Sequence, residues 1–153
     1  MSSATEALAA ALRLLTSRER SSAELIARLL QKGFSEEVVA TTIERCQGLG
    51  YLDDRRFALE RARTLLRSGR AIGPKLLADL QARGIAREAA GEALEQALDG
   101  TDPADLLQAL LQRRFPDFQP ATASDQERRR IIDYCLRRGF SSSLVYSLIR
   151  HER

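Results

Sequence analysis

The sequence predicts an all-α protein, built as three tandem three-helix repeats with about nine helices in an elongated, curved array. Three observations predict it. Leu (24), Ala (22) and Arg (22) fill 68 of the 153 positions, and such strong helix formers with few β-branched residues favour helices over sheet. Apolar residues recur at helical spacing throughout. The chain also resembles itself when aligned on Gly33, Gly84 and Gly139, which are 51 and 55 residues apart. Apolar character is then held at Leu25/Leu76/Ile131, Ile26/Leu77/Ile132, Leu29/Leu80/Cys135, Phe34/Ile85/Phe140 and Ile43/Leu94/Ile149.

Taken in order, the first repeat (residues 1–52) opens with a helix over about Ala4 to Leu15, its apolar face carrying Leu8, Ala11, Leu12 and Leu15. Ser21 and Glu24 then form a Ser-x-x-Glu capping box for the next helix. Gly33 ends that helix in a left-handed conformation and Phe34 folds back onto it. Ser35 caps the third helix, where Val38, Val39 and Ile43 continue the apolar spacing.

The second repeat (53–100) starts where Asp53 or Asp54 caps a helix that runs to about Arg67 and stops at Ser68-Gly69. Gly73-Pro74 opens the following helix with proline in its first turn, and Gly84-Ile85 repeats the turn of the first unit. The third repeat (101–153) begins at Asp102-Pro103, with Leu106, Leu107, Leu110 and Leu111 along one helix. Its loop from Phe115 to Ser124 holds two prolines and is expected to be the most mobile segment. A charged helix follows from about Asp125, then Gly139, Phe140 and the cap Ser141.

Net charge is only +3, so affinity for nucleic acid depends on how the arginines cluster. They do cluster. Arg55, Arg56, Arg61, Arg63, Arg67, Arg70 and Lys75 crowd one helix and the turn after it; Arg128, Arg129, Arg130, Arg137 and Arg138 crowd another. Acidic neighbours look scarce in both stretches, which points to an electropositive surface for nucleic acid or an acidic protein. The bland alternative is a solvated helix face. Candidate contact residues are Arg55, Arg56, Arg63, Arg67, Arg70, Lys75, Arg128 and Arg129. The acidic second helices, with Glu36, Glu37, Glu44, Glu88, Glu92 and Glu95, argue against a recognition helix in a DNA groove.

Catalysis is poorly provisioned. The only histidine, His151, lies three residues from the end and reads as a helix-terminal residue. Gly48 and Gly50 follow a helix rather than a strand and lack a third glycine at the dinucleotide-binding offset, and no phosphate-loop run exists. Asp53 and Asp54 lack the further carboxylates a magnesium site draws on. No enzyme activity, cofactor, metal or small-molecule substrate is expected. Cys46 and Cys135 lie in apolar helical patterns without CxxC spacing and read as reduced core residues of a cytoplasmic protein. No 18-residue apolar run exists to span a membrane.

Gly50-Tyr51-Leu52-Asp53-Asp54, followed by Arg56-Phe57-Ala58, resembles the Gly-Tyr-Leu-Asp-Asp-x-x-Phe-Ala signature of the bacterial RecX regulatory proteins. Ser21-x-x-Glu24-Leu25 with Lys32-Gly33, Gly73-Pro74 leading to Leu80 and Gly84-Ile85, and Arg138-Gly139-Phe140-Ser141 are also similar, so the resemblance spans about Ala7 to Ile149. Asp79-Leu80 stands where that family usually shows Glu-Leu. The resemblance implies a three-repeat, nine-helix protein that binds the RecA filament on single-stranded DNA. It also implies lowered ATP hydrolysis, strand exchange and repressor co-cleavage, in DNA repair by homologous recombination and in the SOS response. Tyr51, Leu52 and Phe57 would be hinge residues of the signature. The competing readings are a stand-alone helical DNA-binding protein without RecA dependence, and an enzyme acting on nucleic acid through Asp53 and Asp54.

Overall fold

The computed structural model describes residues 3–150, which form nine α-helices and no strand. They run α1 (Ala4–Ser17), α2 (Ser22–Gln31), α3 (Glu36–Gly48), α4 (Asp54–Ser68), α5 (Gly73–Ala82), α6 (Arg87–Leu98), α7 (Pro103–Arg114), α8 (Asp125–Arg137) and α9 (Ser142–Ile149). His151, read above as a helix-terminal residue, lies outside the described residues.

Local chemistry sets most of the helix ends. Ser21 caps α2 with its side chain on the Glu24 N–H at 3.1 Å, and the Glu24 carboxylate accepts from the Ser21 N–H at 3.1 Å, completing the capping box. Ser35, Ser124 and Ser141 cap α3, α8 and α9 in the same way, each worth about 1 kcal/mol. Asp53, not Asp54, caps α4. α1 runs two residues beyond the expected Leu15, because Thr16 and Ser17 donate back to the carbonyls of Leu12 and Leu14.

The helices group by threes, but the cores do not. Leu25, Leu29, Val39, Ile43, Cys46 and Leu52 form one core inside the first unit. The second core is continuous across the other two units, running from Phe57, Leu65, Leu76 and Leu80 to Leu107, Ile131, Cys135, Phe140 and Val145. Each fully buried leucine stabilises by roughly 1.5–3 kcal/mol. The accessible surface is 9747 Å², against about 7,700 Å² for a compact protein of this mass. The particle is therefore elongated.

Both joints between units obey one rule. The Ser21 hydroxyl donates to the carbonyl of Arg83, and the Ile72 N–H donates to the carbonyl of Arg138 at 2.8 Å. Ser21 and Ile72 are the N-caps of α2 and α5; Arg83 and Arg138 immediately precede Gly84 and Gly139. The start of one middle helix thus grips the end of the next. Only glycine fits in that grip. A Cβ on Gly84 would sit 2.2 Å from the Ala23 Cβ, and one on Gly139 would sit 2.0 Å from the Ile72 carbonyl oxygen. Gly33, the matching turn of the first unit, has nothing within 4 Å of the same position.

Around this shared contact the first joint is ionic. Arg61 makes two bonds of 3.0 Å to Asp79, while Arg83 bonds Asp79 at 3.2 Å and Glu24 at 3.1 Å. The Ser22 N–H donates to Asp54 at 2.7 Å, tying α2 to the start of α4. The Asp79 carboxyl is held below its ordinary range, chiefly by the hydrogen bond from Arg61, then by the Arg61 and Arg83 charges, against the effect of burial. Burial pushes the Glu24 carboxyl up; the Ser21 N–H and the charges of Arg18 and Arg83 outweigh it and lower the pKa.

Candidate functional site

Four of the eight candidate contact residues are engaged with carboxylates. Arg55 pairs with Glu92 of α6 at 3.6 Å and Arg56 with Glu19 at 3.3 Å, the latter also donating to the Gly50 carbonyl. Arg63 pairs with Glu60 at 3.1 Å; Arg128 pairs with Asp125 at 3.4 Å and donates to the Pro120 carbonyl. Acidic partners are therefore less scarce than the sequence suggested. They come from the same helix, from α6 or, for Glu19, from the loop between α1 and α2, so that Arg56 belongs to the first joint. Lys75 is exposed with its Cβ beside Gly139, and exposed Arg129 borders a cleft with Arg128 and Arg150.

Arg67 and Arg70 belong to a different group, gathered where the second and third units meet. Arg67 and Arg113 flank a small cavity of about 70 Å³ lined by Leu66, Leu106 and Phe140. Arg113 donates to the Arg67 carbonyl at 3.4 Å, Arg138 to the Gly69 carbonyl at 3.4 Å, and Arg70 to the Ser68 hydroxyl at 3.1 Å. The Arg138 and Arg114 guanidiniums lie 4.5 and 5.8 Å from the centre of the Tyr134 ring, which Phe115 meets edge-on at 5.2 Å. The loop expected to be most mobile is thus held at Phe115, and at Pro120 by Arg128.

Among the described residues no carboxylate pairs with any of these five arginines. Arg113 and Arg138 are held instead by carbonyls at the negative end of the α4 dipole, Arg114 and Arg138 by the Tyr134 face, and Arg70 by the Ser68 hydroxyl. Guanidinium cannot shed its proton, so the charge stays, and its planar fork suits phosphate or carboxylate. The joint thus gathers five arginines without a carboxylate partner. Arg138 stands in the second arginine cluster of the sequence, whereas Arg113 and Arg114 lie outside both clusters; their sequence signal is a basic pair in the last turn of α7.

The signature segment links the two cores. Leu52, 3 % exposed, packs into the first core and Phe57, 5 % exposed, into the second. Tyr51, the tyrosine of the signature, is 53 % exposed, because Gly50 (φ 80°) follows α3 and turns the ring outward. Asp53 accepts from the N–H groups of Arg55 and Arg56 at 3.0 and 3.1 Å, and Asp54 from Ser22. Both carboxylates have structural roles, and among the described residues no group of three or more His, Cys, Asp or Glu side chains is placed to hold a metal. Cys46 and Cys135 are free and buried, and burial pushes the Cys135 thiol up to about 11.

Comparison with known proteins bears on this arrangement. Residues 7–46 match the model of the first three-helix domain of RecX, and residues 101–149 that of the third. The chain is 44 % identical to the regulatory protein RecX of Syntrophotalea carbinolica over all 153 residues, covering the whole of both chains. It is 33 % identical to that of Trichlorobacter lovleyi over 139 residues, covering 91 % of this chain and 90 % of the other. A crystal structure of a regulatory protein RecX superposes with a TM-score of 0.73 at 22 % identity, over 97 % of this chain and 73 % of that one. The crystal structure of RecX from Lactobacillus salivarius gives 0.73 at 20 % identity, over 97 % and 95 %. The two superpositions speak for the fold. Among the described residues no helix is long and apolar enough to cross a membrane.

Proposed function

Because the chain belongs to the RecX family of regulatory proteins, we propose that it binds the RecA filament on single-stranded DNA in the cytoplasm. There it lowers the filament's ATP hydrolysis, strand exchange and co-protease activity, without catalysis of its own. The observation that carries this reading is the arginine cluster at the second joint. Five arginines without carboxylate partners gather over the continuous core of the second and third units. Clustered positive charge favours an anionic partner, and an elongated chain reaches more than one protomer of a helical filament. Tighter binding to one filament state shifts its population, which is how a non-catalytic protein regulates.

Binding to RecA–DNA filaments, compared with naked single-stranded DNA of the same length at the same salt, tests this reading. Preference for the filament is expected. Equal affinity for both, with a steep salt dependence and no response to RecA, would instead establish the stand-alone DNA-binding protein.

A further inference from the structure

The first unit carries an apolar groove that its own fold leaves open. Ile26 and Leu30 of α2 face Val39, Ala40 and Ile43 of α3 across a groove of about 410 Å³, which Glu36 also lines. Ile26 is 36 % and Leu30 41 % exposed, on the side of α2 away from Arg28 and Lys32. The repeats give an internal comparison. Leu30 corresponds to Gln81 in the second unit, so this turn tolerates a polar residue. In the third unit the partner of Ile26 is Ile132, which is 6 % exposed. The first unit alone keeps apolar side chains at both positions while none of the described residues covers them.

Charge defines the occupant. Glu36, Ala40 and Glu44 follow at helical spacing along the groove's α3 edge, and Glu37 lies beside Glu36. Among the described residues none of the three glutamates forms an ion pair. Such an edge repels DNA phosphates and anionic lipid alike. It attracts cations.

We propose that the α2–α3 groove of the first unit binds a partner protein's amphipathic helix, one with an apolar stripe flanked by lysine or arginine. The chain then has two unlike surfaces: an acidic, apolar one on the first unit for protein and an arginine-rich one where the second and third units meet. The groove itself does not depend on the RecA reading; the identification of RecA as the source of the helix rests on it.

The test uses Ile26→Gln with Leu30→Gln in the full chain, the second change copying the residue the second unit already holds. Affinity for RecA filaments should fall at least tenfold with unchanged helicity and an unchanged slope against salt. Unchanged affinity, where the wild-type chain does bind filaments, overturns the proposal and leaves the RecA reading standing. If the wild-type chain binds no filament, that reading fails by itself, and a labelled helical peptide with a leucine stripe and lysine flanks decides the groove. Binding of that peptide, weakened tenfold by glutamate flanks and by the double variant, supports it; equal binding of both peptides, or of neither, overturns it. Concentration-dependent dimerisation of the wild-type chain that the double variant abolishes would assign the groove to a second copy and also overturn it.

Discussion

Replacing Gly33, Gly84 and Gly139 by alanine, one at a time, measures how tightly the units interlock. All three have positive φ, at 98°, 88° and 102°, so each alanine carries a backbone strain of about 1–3 kcal/mol. At Gly33 the cost ends there, since nothing lies within 4 Å. At Gly84 the new methyl would meet the Ala23 Cβ at 2.2 Å, and the start of α2 must retreat from the Ser21–Arg83 contact, adding about 1–3 kcal/mol of overpacking. At Gly139 the obstacle is backbone, the Ile72 carbonyl at 2.0 Å, and retreat also loses the Ile72–Arg138 hydrogen bond, about 1 kcal/mol more. The expected losses are roughly 1–3, 2–6 and 3–7 kcal/mol in that order. Urea unfolding followed by circular dichroism reads them, and each 1 kcal/mol should also lower Tm by about 2–4 °C. Three equal losses would refute the interlocking, because strain alone would then account for all of them.

Acid should loosen the first joint. Asp79 and Glu24 have lowered pKa values when folded, so the folded chain binds fewer protons than the unfolded one. Their stabilisation is complete above the ordinary carboxylate range, near pH 4, and is lost as pH falls through the lowered folded values. Unfolding free energy measured from pH 6 to 3 should show this fall, and Asp79→Asn should flatten it; an identical profile in the variant would contradict the assignment. Cys135, with its thiol pushed up to about 11 and fully buried, should react with a thiol reagent at pH 8 only as fast as the protein opens; rapid stoichiometric labelling would be inconsistent with the core. Arg67→Gln with Arg113→Gln should reduce the salt slope of filament binding by about two at unchanged helicity, whereas Arg55→Gln should change it little because Glu92 already engages that side chain. The reverse order would move the anion surface to the N-terminal half of α4.

The fold was legible wherever a signal is local. Serine caps, the Ser21–Glu24 box, Pro74 in the first turn of α5 and the repeated glycines act within a few residues, so the chain displays them directly. The joints act across 59 residues for Glu24–Arg83 and 62 for Ser21–Arg83, and no local pattern announces such pairs. The same distance explains the site. Arg55, Arg56 and Arg63 stand out as a run, yet Glu92, Glu19 and Glu60 pair with them in space. Arg67 joins Arg113, Arg114 and Arg138 only because the second and third units share one core. Leu52 is buried while the turn at Gly50 sends its neighbour Tyr51 outward, a difference that composition does not display. Density of arginine in sequence marks the helix but not which of its arginines meet carboxylates.

The central claim is regulation of RecA through the arginine joint, and the rate of ATP hydrolysis by RecA on single-stranded DNA tests it most directly. The wild-type chain, added from far below to equal stoichiometry, should lower that rate, and Arg67→Glu with Arg113→Glu should restore most of it while remaining helical. A rate unchanged by folded wild-type protein at every ratio would contradict the account.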